Sequence, residues 1–360
     1  MKKYFDEIFF LARYDKKHLI SLIALFLIVS IIDVLGIGLI GPYISIVIDP
    51  SAIDGYDRYL AFFIENPKNY QQVTNIFGLI LFFVFFIKAV IAIWINYKII
   101  LFSQKQQVSL RAFLMKSYQL MPYSKHVNRN SSEYIHSMQT LVVHYTDNAL
   151  MPLLRIIGDM LVAIVIIFFL AITNIYALTL FLFLLGSLIF LYDRIFKEKL
   201  KNYGAETNTS ASLLIQSIKE SIKGLLEIRL LKKESYFYDK VNKLSISFTS
   251  SQAKSRIIGT SSRFLFEVLI IGFVVLLVYM TIYIEKNTQS VFQTLLVFGV
   301  ASVRLLPIAN SLSNGIAKIR YARNSVSLLY KDIKYQDDLK IHDDNVKDVR
   351  KGKPFEKLIV

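Results

Sequence analysis

Long apolar runs are the feature that most constrains this chain, because only a bilayer or an unusually large core can bury them. Six runs are long enough to cross about 30 Å of hydrocarbon at about 1.5 Å per residue. They lie at 20–47, 76–95, 150–172, 175–191, 264–284 and 291–310, and the third and fourth are nearly continuous, with TNIY at their junction. Hydrophobic residues make up 54% of the chain. The sequence predicts an all-α membrane protein with six transmembrane helices.

Lysine and arginine are concentrated in alternate connections between these runs. The two termini and the second and fourth connections carry 35 of the 42 basic residues, and the other connections carry three. The positive-inside rule therefore places both termini in the cytoplasm. The net charge of +15 follows mostly from this topology, so we expect no nucleic-acid partner.

Two of the basic connections are too rich in helix-forming residues to be loops. Residues 96–121 and 193–262 contain few Gly and Pro, so we predict that they extend the membrane helices into the cytoplasm. A helix of about 45 residues is about 70 Å long. We predict short breaks in the extensions at MPYSKHVNRNSSEYI and ESIKGLLEIRLLKKE, and an amphipathic helix on the outer surface at GYDRYLAFFIENP.

Lys88 and Arg304 are candidate ligands for an anionic group, because a charge within a span costs roughly 2.5–3.5 kcal/mol and indicates function by default. Both lie roughly 18 Å from the outer surface on inward-running helices, so a homodimer would hold them in a positive belt. The alternative is that each pairs with Asp33 or Glu267 and only stabilises the bundle. For Asp33 itself, we favour such a structural pairing over a proton relay.

Two i,i+4 pairs have simpler explanations. Arg263 precedes Glu267 at the spacing of a local ion pair, although it is also a candidate site residue. Arg155 and Asp159 have the same spacing near the inner end of the third run, where we predict a structural pair.

Four segments in order resemble the transmembrane domain of ABC exporters of the type IV fold. Residues 128–138 and 216–237 are similar to the first and second coupling-helix regions of that family, and VASVRLLPIANSL to its sixth-helix signature. The tail KPFEKLIV is similar to the opening strand of the nucleotide-binding domain. The resemblance implies a six-helix domain that forms a domain-swapped homodimer, here at 19–330. It follows a cytosolic amphipathic segment at 1–18 and precedes a linker at 331–360 that leads toward a nucleotide-binding domain.

Within that family, the chain is most similar to the bacterial flippases of lipid-linked oligosaccharides. The similar segments are IIDVLGIGLIGPYI, FFIKAVIAIW, TSSRFLFEVLIIGF and SVRLLPIAN. In those flippases, cations on the second, fifth and sixth helices bind the substrate pyrophosphate, and the resemblance places Lys88, Arg263 and Arg304 there. Lys stands where the flippases have Arg at the first position, which keeps the charge but loses bidentate geometry.

The predicted cytoplasmic tips are candidate docking sites for the ATPase. Asn130 and Glu133 have the spacing of an N-cap and a capping-box residue, and Gly224 interrupts an otherwise helical stretch. Ser132 and Glu227 complete the coupling residues that we predict.

The sequence contains no chemistry of its own that we can identify. It has no cysteine and no G-x-x-x-x-G-K-[ST] phosphate loop. The histidines at 18, 126, 136, 144 and 342 lack metal-ligand spacing. We expect no cofactor in this chain, with ATP and Mg²⁺ held by a fused or separate nucleotide-binding domain.

The function that follows is that of a permease in the bacterial inner membrane. Its partners would be a second copy, nucleotide-binding domains, membrane lipids and an anionic lipid-linked substrate. Alternatives are the export of a peptide, polysaccharide or other lipid, or a different class of protein such as a membrane-embedded transferase or a channel.

Overall fold

All regular secondary structure in the described part of the computed structural model is helical. The described residues are 2–12, 32, 36, 39, 43, 47, 70–127, 129–173, 175–280 and 288–349, with the backbone alone at most of 288–304, at 338–349 and at a few single positions. The helices are α1 (Lys2–Leu11), α2 (Tyr70–Gln119), α3 (Tyr123–Val127), α4 (Ser131–Ile172), α5 (Ile175–Lys223), α6 (Leu225–Leu230), α7 (Glu234–Met280), α8 (Thr288–Tyr321) and α9 (Arg323–Val349). The all-α prediction is confirmed for these residues.

Four of these helices, α2, α4, α5 and α7, are long and apolar enough to cross a membrane. They contain the predicted second to fifth runs, and the helix that contains the fourth begins at Ile175. Most of the first run, the outer-surface segment and Asp33 lie outside the described residues. The sixth run lies in α8, where most of its side chains are not described. The count of six therefore stays a prediction.

The predicted extensions are confirmed as continuous helix. α2, α5 and α7 have 50, 49 and 47 residues, so each is about 70–75 Å long and exceeds twice the thickness of the hydrocarbon. The reason is local, because α2 contains no Pro and a single Gly, Gly78. Its apolar half leaves Phe82, Phe83 and Ile93 exposed, as expected for a surface that lipid or another chain covers.

Helix α4 contains two wide π-helical turns, Ser137–Leu141 and Thr146–Leu150, before its apolar stretch begins. Each π turn inserts a residue into the helical repeat and rotates the face that follows. Neither turn was predicted from the sequence.

Both predicted breaks are confirmed as helical tips. At the first, α3 lies between α2 and α4; at the second, α6 lies between α5 and α7. Gly224 has φ −92° and ψ 23°, a conformation open to other residues, whereas Lys232 has φ 49°. The left-handed residue that turns the chain at the second tip is therefore Lys232.

Helices α5 and α7 pack along each other as an antiparallel pair. The rings of Phe181 and Phe273 meet edge to face with centroids 5.0 Å apart, and the Tyr192 hydroxyl donates to the carbonyl oxygen of Ile258. Near the tip, Lys240 Nζ lies 3.1 Å from Glu220 Oε2. Apolar contacts thus hold the membrane end of the pair and polar contacts the other end.

A buried polar seam joins α4, α5 and the start of α9. Asn208 Nδ2 donates to Asn324 Oδ1 at 2.8 Å and to Ser325 Oγ at 2.9 Å. His144 Nδ1 lies 3.1 Å from Ser325 Oγ. Buried polar groups are costly unless they are hydrogen-bonded, so the seam fixes the register of these helices. Close to it, Arg320 binds both oxygens of Asp193.

Helix α1 packs against α8 and α9. Its inner face repeats at helical spacing and buries Tyr4, Glu7, Ile8 and Leu11. The Tyr4 hydroxyl donates to the carbonyl oxygen of Ile319 at 2.8 Å, and the Glu7 carboxylate accepts from Arg323 at 2.9 Å. The N-terminal segment is therefore amphipathic, and its apolar face is covered by protein.

Candidate substrate path and coupling tips

Lys88 lies on the packed face of α2, between side chains that point outward. It is 6% exposed, whereas its neighbours Phe86 and Ile87 are exposed. The Lys88 Nζ lies 5.4 Å from the centroid of the Phe85 ring. Gly36 of the first run is close by, since a Cβ there would lie 3.2 Å from Phe85. A cation therefore sits where two predicted spans meet.

Arg263 forms the local ion pair that its spacing predicts. Its Nε lies 2.9 Å from Glu267 Oε1, and its side chain is 64% exposed on α7. The Arg304 side chain lies outside the described residues. The structure thus gives surroundings for two of the three predicted cations, and their binding of a substrate stays a prediction.

Arg155 and Asp159 make contacts other than the predicted pair. Arg155 Nη2 donates to Asn96 Oδ1 at 3.0 Å, which ties α4 to α2. Asp159 is hydrogen-bonded to Ser311 of α8. Arg155 also acts electrostatically on Asp159, so the structural pair stays a prediction, and both side chains have further partners on neighbouring helices.

The first tip begins α4 with the predicted cap. Asn130 has an extended backbone, and its Oδ1 accepts from the Ser132 backbone N at 3.0 Å. The Glu133 side chain does not complete a capping box but accepts from Arg129 Nε at 3.1 Å. Ser132 is 1% exposed, so in this chain its hydroxyl does not lie on a docking surface. Asn130 and Glu133 are exposed.

Arg129 clamps the first tip to α9, which the sequence did not predict. Its Nη1 lies 2.7 Å from Asp332 Oδ1, and its Nη2 lies 3.3 Å from Asp332 Oδ2. The Tyr118 hydroxyl donates to the same carboxylate. The guanidinium also stacks over the Tyr134 ring, 4.7 Å from the ring centroid. Asp332 is buried, so the end of α2, the first tip and α9 form one unit.

The second tip presents an exposed apolar surface. Leu226 is 68% exposed and Leu230 is 74% exposed, and the other exposed members are Ile222, Leu225 and Leu231. Ile228 is the buried side chain of α6. The predicted coupling residue Glu227 is exposed beside them, and Gly224 is half-buried. Contiguous exposed apolar side chains mark surfaces that bind a partner, and the paired leucines of GLLEIRLL were the signal available in the sequence.

No group of three or more metal-ligating side chains occurs in the described part of the chain. His136 and His144 are buried in the extension of α4.

The sequence also matches a known family, and this match agrees with the long helices, the two helical tips and the apolar stretches. The model of the family described as the ABC transporter transmembrane region matches residues 19–307. The chain belongs to this family. An ABC transporter transmembrane region is a multi-pass membrane domain, so the membrane assignment is supported. Membership also favours the permease part of an ABC exporter over a transferase or a channel. Such regions typically pair with a nucleotide-binding domain.

Proposed function

We propose that this transmembrane region is the permease of an ATP-driven flippase that moves a phosphate-bearing lipid-linked glycan across the bacterial inner membrane. Two copies form the pathway as a domain-swapped homodimer. Nucleotide-binding domains bind ATP and Mg²⁺, close the dimer on ATP binding, and reset it on hydrolysis. This chain supplies the substrate path and the coupling.

The observation that carries the proposal is the burial of Lys88 among the apolar side chains of α2. A cation at this depth is costly, and such residues mark substrate or ion pathways. Lysine binds phosphate as a point charge. The attraction between Lys88 and a phosphate headgroup in the pathway would offset part of the free-energy cost of burying the cation.

Arg263 and Arg304 would add to the same anion site from a second helix and a third. Arg263 uses Nε for Glu267, and a guanidinium has further N–H donors for an anion. Arg304 lies in α8, within the matched part of the chain. The lipid tail would stay in the bilayer while the headgroup passes these cations.

Coupling would run through both tips. The exposed leucines of the second tip offer an apolar surface, and the Arg129–Asp332 clamp makes the first tip rigid. A rigid tip transmits a displacement of the ATPase domain to the long helices instead of absorbing it. Gly224, Glu227, Asn130 and Glu133 would lie at the edges of these contacts.

The test is transport by the complete transporter reconstituted in vesicles. We expect Lys88→Ala to lower transport of the phosphate-bearing substrate at least about tenfold, because charge-assisted hydrogen bonds are lost. Basal ATPase activity and dimer yield should be retained. Lys88→Arg should be tolerated, since it keeps the charge. The matched control is Lys98→Gln, which removes an exposed cation further along α2 and should leave transport unchanged.

Arg304 gives a second arm of the same experiment. Arg304→Ala should also reduce transport at least about tenfold, and Arg304→Lys should restore only part of it, because a point charge does not bind phosphate bidentately. A substrate analogue without phosphate should be transported poorly by the unmodified protein.

A charge exchange separates this function from the structural alternative. If Lys88 only pairs with Asp33, the double variant Lys88→Asp with Asp33→Lys should transport normally. That result, or normal transport by Lys88→Ala and Arg304→Ala, would contradict the proposal. Equal transport of the phosphate-free analogue would favour another cargo.

A further inference from the structure

A cavity of about 400 Å³ lies between α4, α7 and α8, away from the predicted belt of cations. Its lining includes two cations, Arg256 and Lys318. The neutral polar side chains of the lining include Asn148, Gln252, Ser255 and Asn314. This volume falls in the range of about 300–1,000 Å³ that is usual for small-molecule sites.

The charges around the cavity sum to a positive field. Arg256 and Arg155 both act electrostatically on Lys318, and the one carboxylate that does so is Asp147. Asp147 accepts from Gln107 at 3.3 Å. Within the described part of the chain, neither Arg256 nor Lys318 forms an ion pair with a carboxylate. Both are exposed and accessible to a ligand.

Two backbone features shape this cavity. Asn148 belongs to the π turn Thr146–Leu150, and π turns occur frequently at functional sites. On the opposite wall, a Cβ at Gly259 would lie 2.9 Å from Asn314 Oδ1. The missing side chain of Gly259 therefore lets α7 approach the amide of Asn314 closely. The positions of Asn148 and Asn314 in the cavity wall depend on these two features. The cavity is therefore shaped by specific backbone geometry.

The position of the cavity indicates what kind of molecule reaches it. Arg256 is eight residues before the predicted fifth span, and Lys318 is eight residues after the sixth. At helical rise, both lie about 12 Å beyond the hydrocarbon, on the side of the long extensions. Polar headgroups occupy about 5–7 Å beyond the hydrocarbon, and long Lys and Arg side chains can extend back over the remaining distance of about 5 Å. A headgroup can therefore approach this cavity while its tail stays in the bilayer.

We propose that this cavity is a second, separate binding site for a phosphate group, in which Arg256 and Lys318 neutralise the anion and Asn148, Asn314, Gln252 and Ser255 donate hydrogen bonds. Arg binds phosphate through two parallel N–H groups and Lys as a point charge. The amide and hydroxyl groups supply neutral donors. The phosphate comes from an amphiphile headgroup at the membrane surface or from a soluble polyphosphate.

Binding to the purified chain in lipid nanodiscs tests the site directly. The probes are inorganic pyrophosphate, by titration calorimetry in phosphatidylcholine nanodiscs, and phosphatidylglycerol, by native mass spectrometry of retained lipid. We expect the double variant Arg256→Gln with Lys318→Gln to weaken pyrophosphate binding or lipid retention at least about tenfold. The control Lys243→Gln, an exposed cation on the same helix, should change neither. Loss with both probes indicates a general phosphate site, and loss with lipid alone indicates a headgroup site.

Cysteine chemistry gives a second measurement that does not depend on removing the cations. The chain contains no native cysteine, so Ser255→Cys introduces a single thiol into the cavity. The measured quantity is the ratio of the modification rate by a negatively charged methanethiosulfonate to the rate by a positively charged one. This ratio should be at least about fivefold higher for Ser255→Cys than for the control Thr249→Cys. Pyrophosphate or phosphatidylglycerol should slow the reaction at residue 255 and leave residue 249 unchanged.

Equal reagent preference at the two positions, or binding and retention unchanged in the double variant, would overturn the proposal. A thiol at residue 255 that neither probe protects would also count against it. None of these measurements uses ATP or transport. Failure here therefore leaves the proposed flippase function intact, and failure of the transport experiment leaves this site standing.

Discussion

At the scale of single residues, the contacts that matter most were those with distant partners. Arg129 and Asp332 are separated by 203 positions in the chain, yet they form a bidentate contact. The seam around Asn208 and Ser325 is of the same kind. Partners of this type can be replaced one at a time, which allows the contribution of each contact to be measured.

The first prediction concerns the Arg129 clamp. Arg129→Ala leaves the buried Asp332 carboxylate without its cation, so we expect the unfolding free energy to fall by up to about 3 kcal/mol. The measurement is thermal unfolding in detergent, read as a double-mutant cycle with Asp332→Asn. Arg229→Ala, at an exposed position of the second tip, is the control and should change stability little. If Arg129→Ala and Arg229→Ala have equal effects, the clamp does not stabilise the tip.

At the scale of helices, the structure consists mainly of long helices that pack closely at a few crossing points. Helices α5 and α8 approach so tightly that a Cβ at Gly204 would lie 2.0 Å from the Tyr321 carbonyl oxygen. At the far end of α5, the second tip presents exposed apolar side chains. The rods are therefore fixed at their crossings and available for binding at their tips.

The crossing at Gly204 gives the second prediction. Gly204→Ala forces the two backbones apart, so we expect a loss of about 2–3 kcal/mol, at the upper end for overpacking. Gly186→Ala lies on the same helix with no atom within 4 Å, and it should be neutral or slightly stabilising because Ala favours helix. Thermal unfolding of the two variants measures the difference. Equal melting temperatures would mean that α5 and α8 are not in close contact.

The exposed tip gives the third prediction. Leu226→Ser together with Leu230→Ser removes two exposed apolar side chains from α6, so the fold should be unaffected. If this surface docks the ATPase, substrate-stimulated ATPase activity and transport should both fall at least about tenfold, while the melting temperature stays constant. Ile164→Ser with Phe168→Ser on the exposed membrane face of α4 is not a suitable control, because lipid covers that face. Leu213→Ser with Ile246→Ser, at exposed positions on the shafts of α5 and α7, serves instead.

The coupling assignment would be abandoned if the double variant at the tip kept both activities. The same holds if the shaft variant lost them to the same degree. Glu227→Ala should cause a smaller uncoupling. Ser132→Ala should act only through packing, because its side chain is buried.

At the scale of the whole molecule, the charge asymmetry and the placement of the tips indicate the same membrane topology. The tips extend from the ends of the long helices, about 40 Å beyond the spans at helical rise, and the basic connections coincide with these extensions. Both termini and both tips should therefore share one side of the membrane.

The fourth prediction tests that topology. Gly224→Cys at the second tip should react with a membrane-impermeant maleimide only after cells are opened. Tyr176→Cys, at the exposed start of α5 beside the shortest connection, should react in intact cells. Labelling of residue 224 from outside would overturn the orientation, and the absence of native cysteine keeps the background low.

The local pattern of residues in the sequence was sufficient to predict where the helices lie. Apolar composition and run length predict spans because backbone groups in lipid must be satisfied within a helix. Scarce Gly and Pro predicted the long extensions, and the cap at Asn130 and the break near Gly224 were predicted from neighbouring residues. Each of these depends on free energies that act within a few residues.

Tertiary structure alone decided which side chains meet. Arg155 is hydrogen-bonded to Asn96 on another helix, Ser132 is buried, and Arg256 and Lys318 share a cavity. These outcomes depend on how each rod is rotated and where it crosses its neighbours, and a single π turn changes that rotation. Helical periodicity predicts which residues share a face, but only packing between helices determines what that face touches.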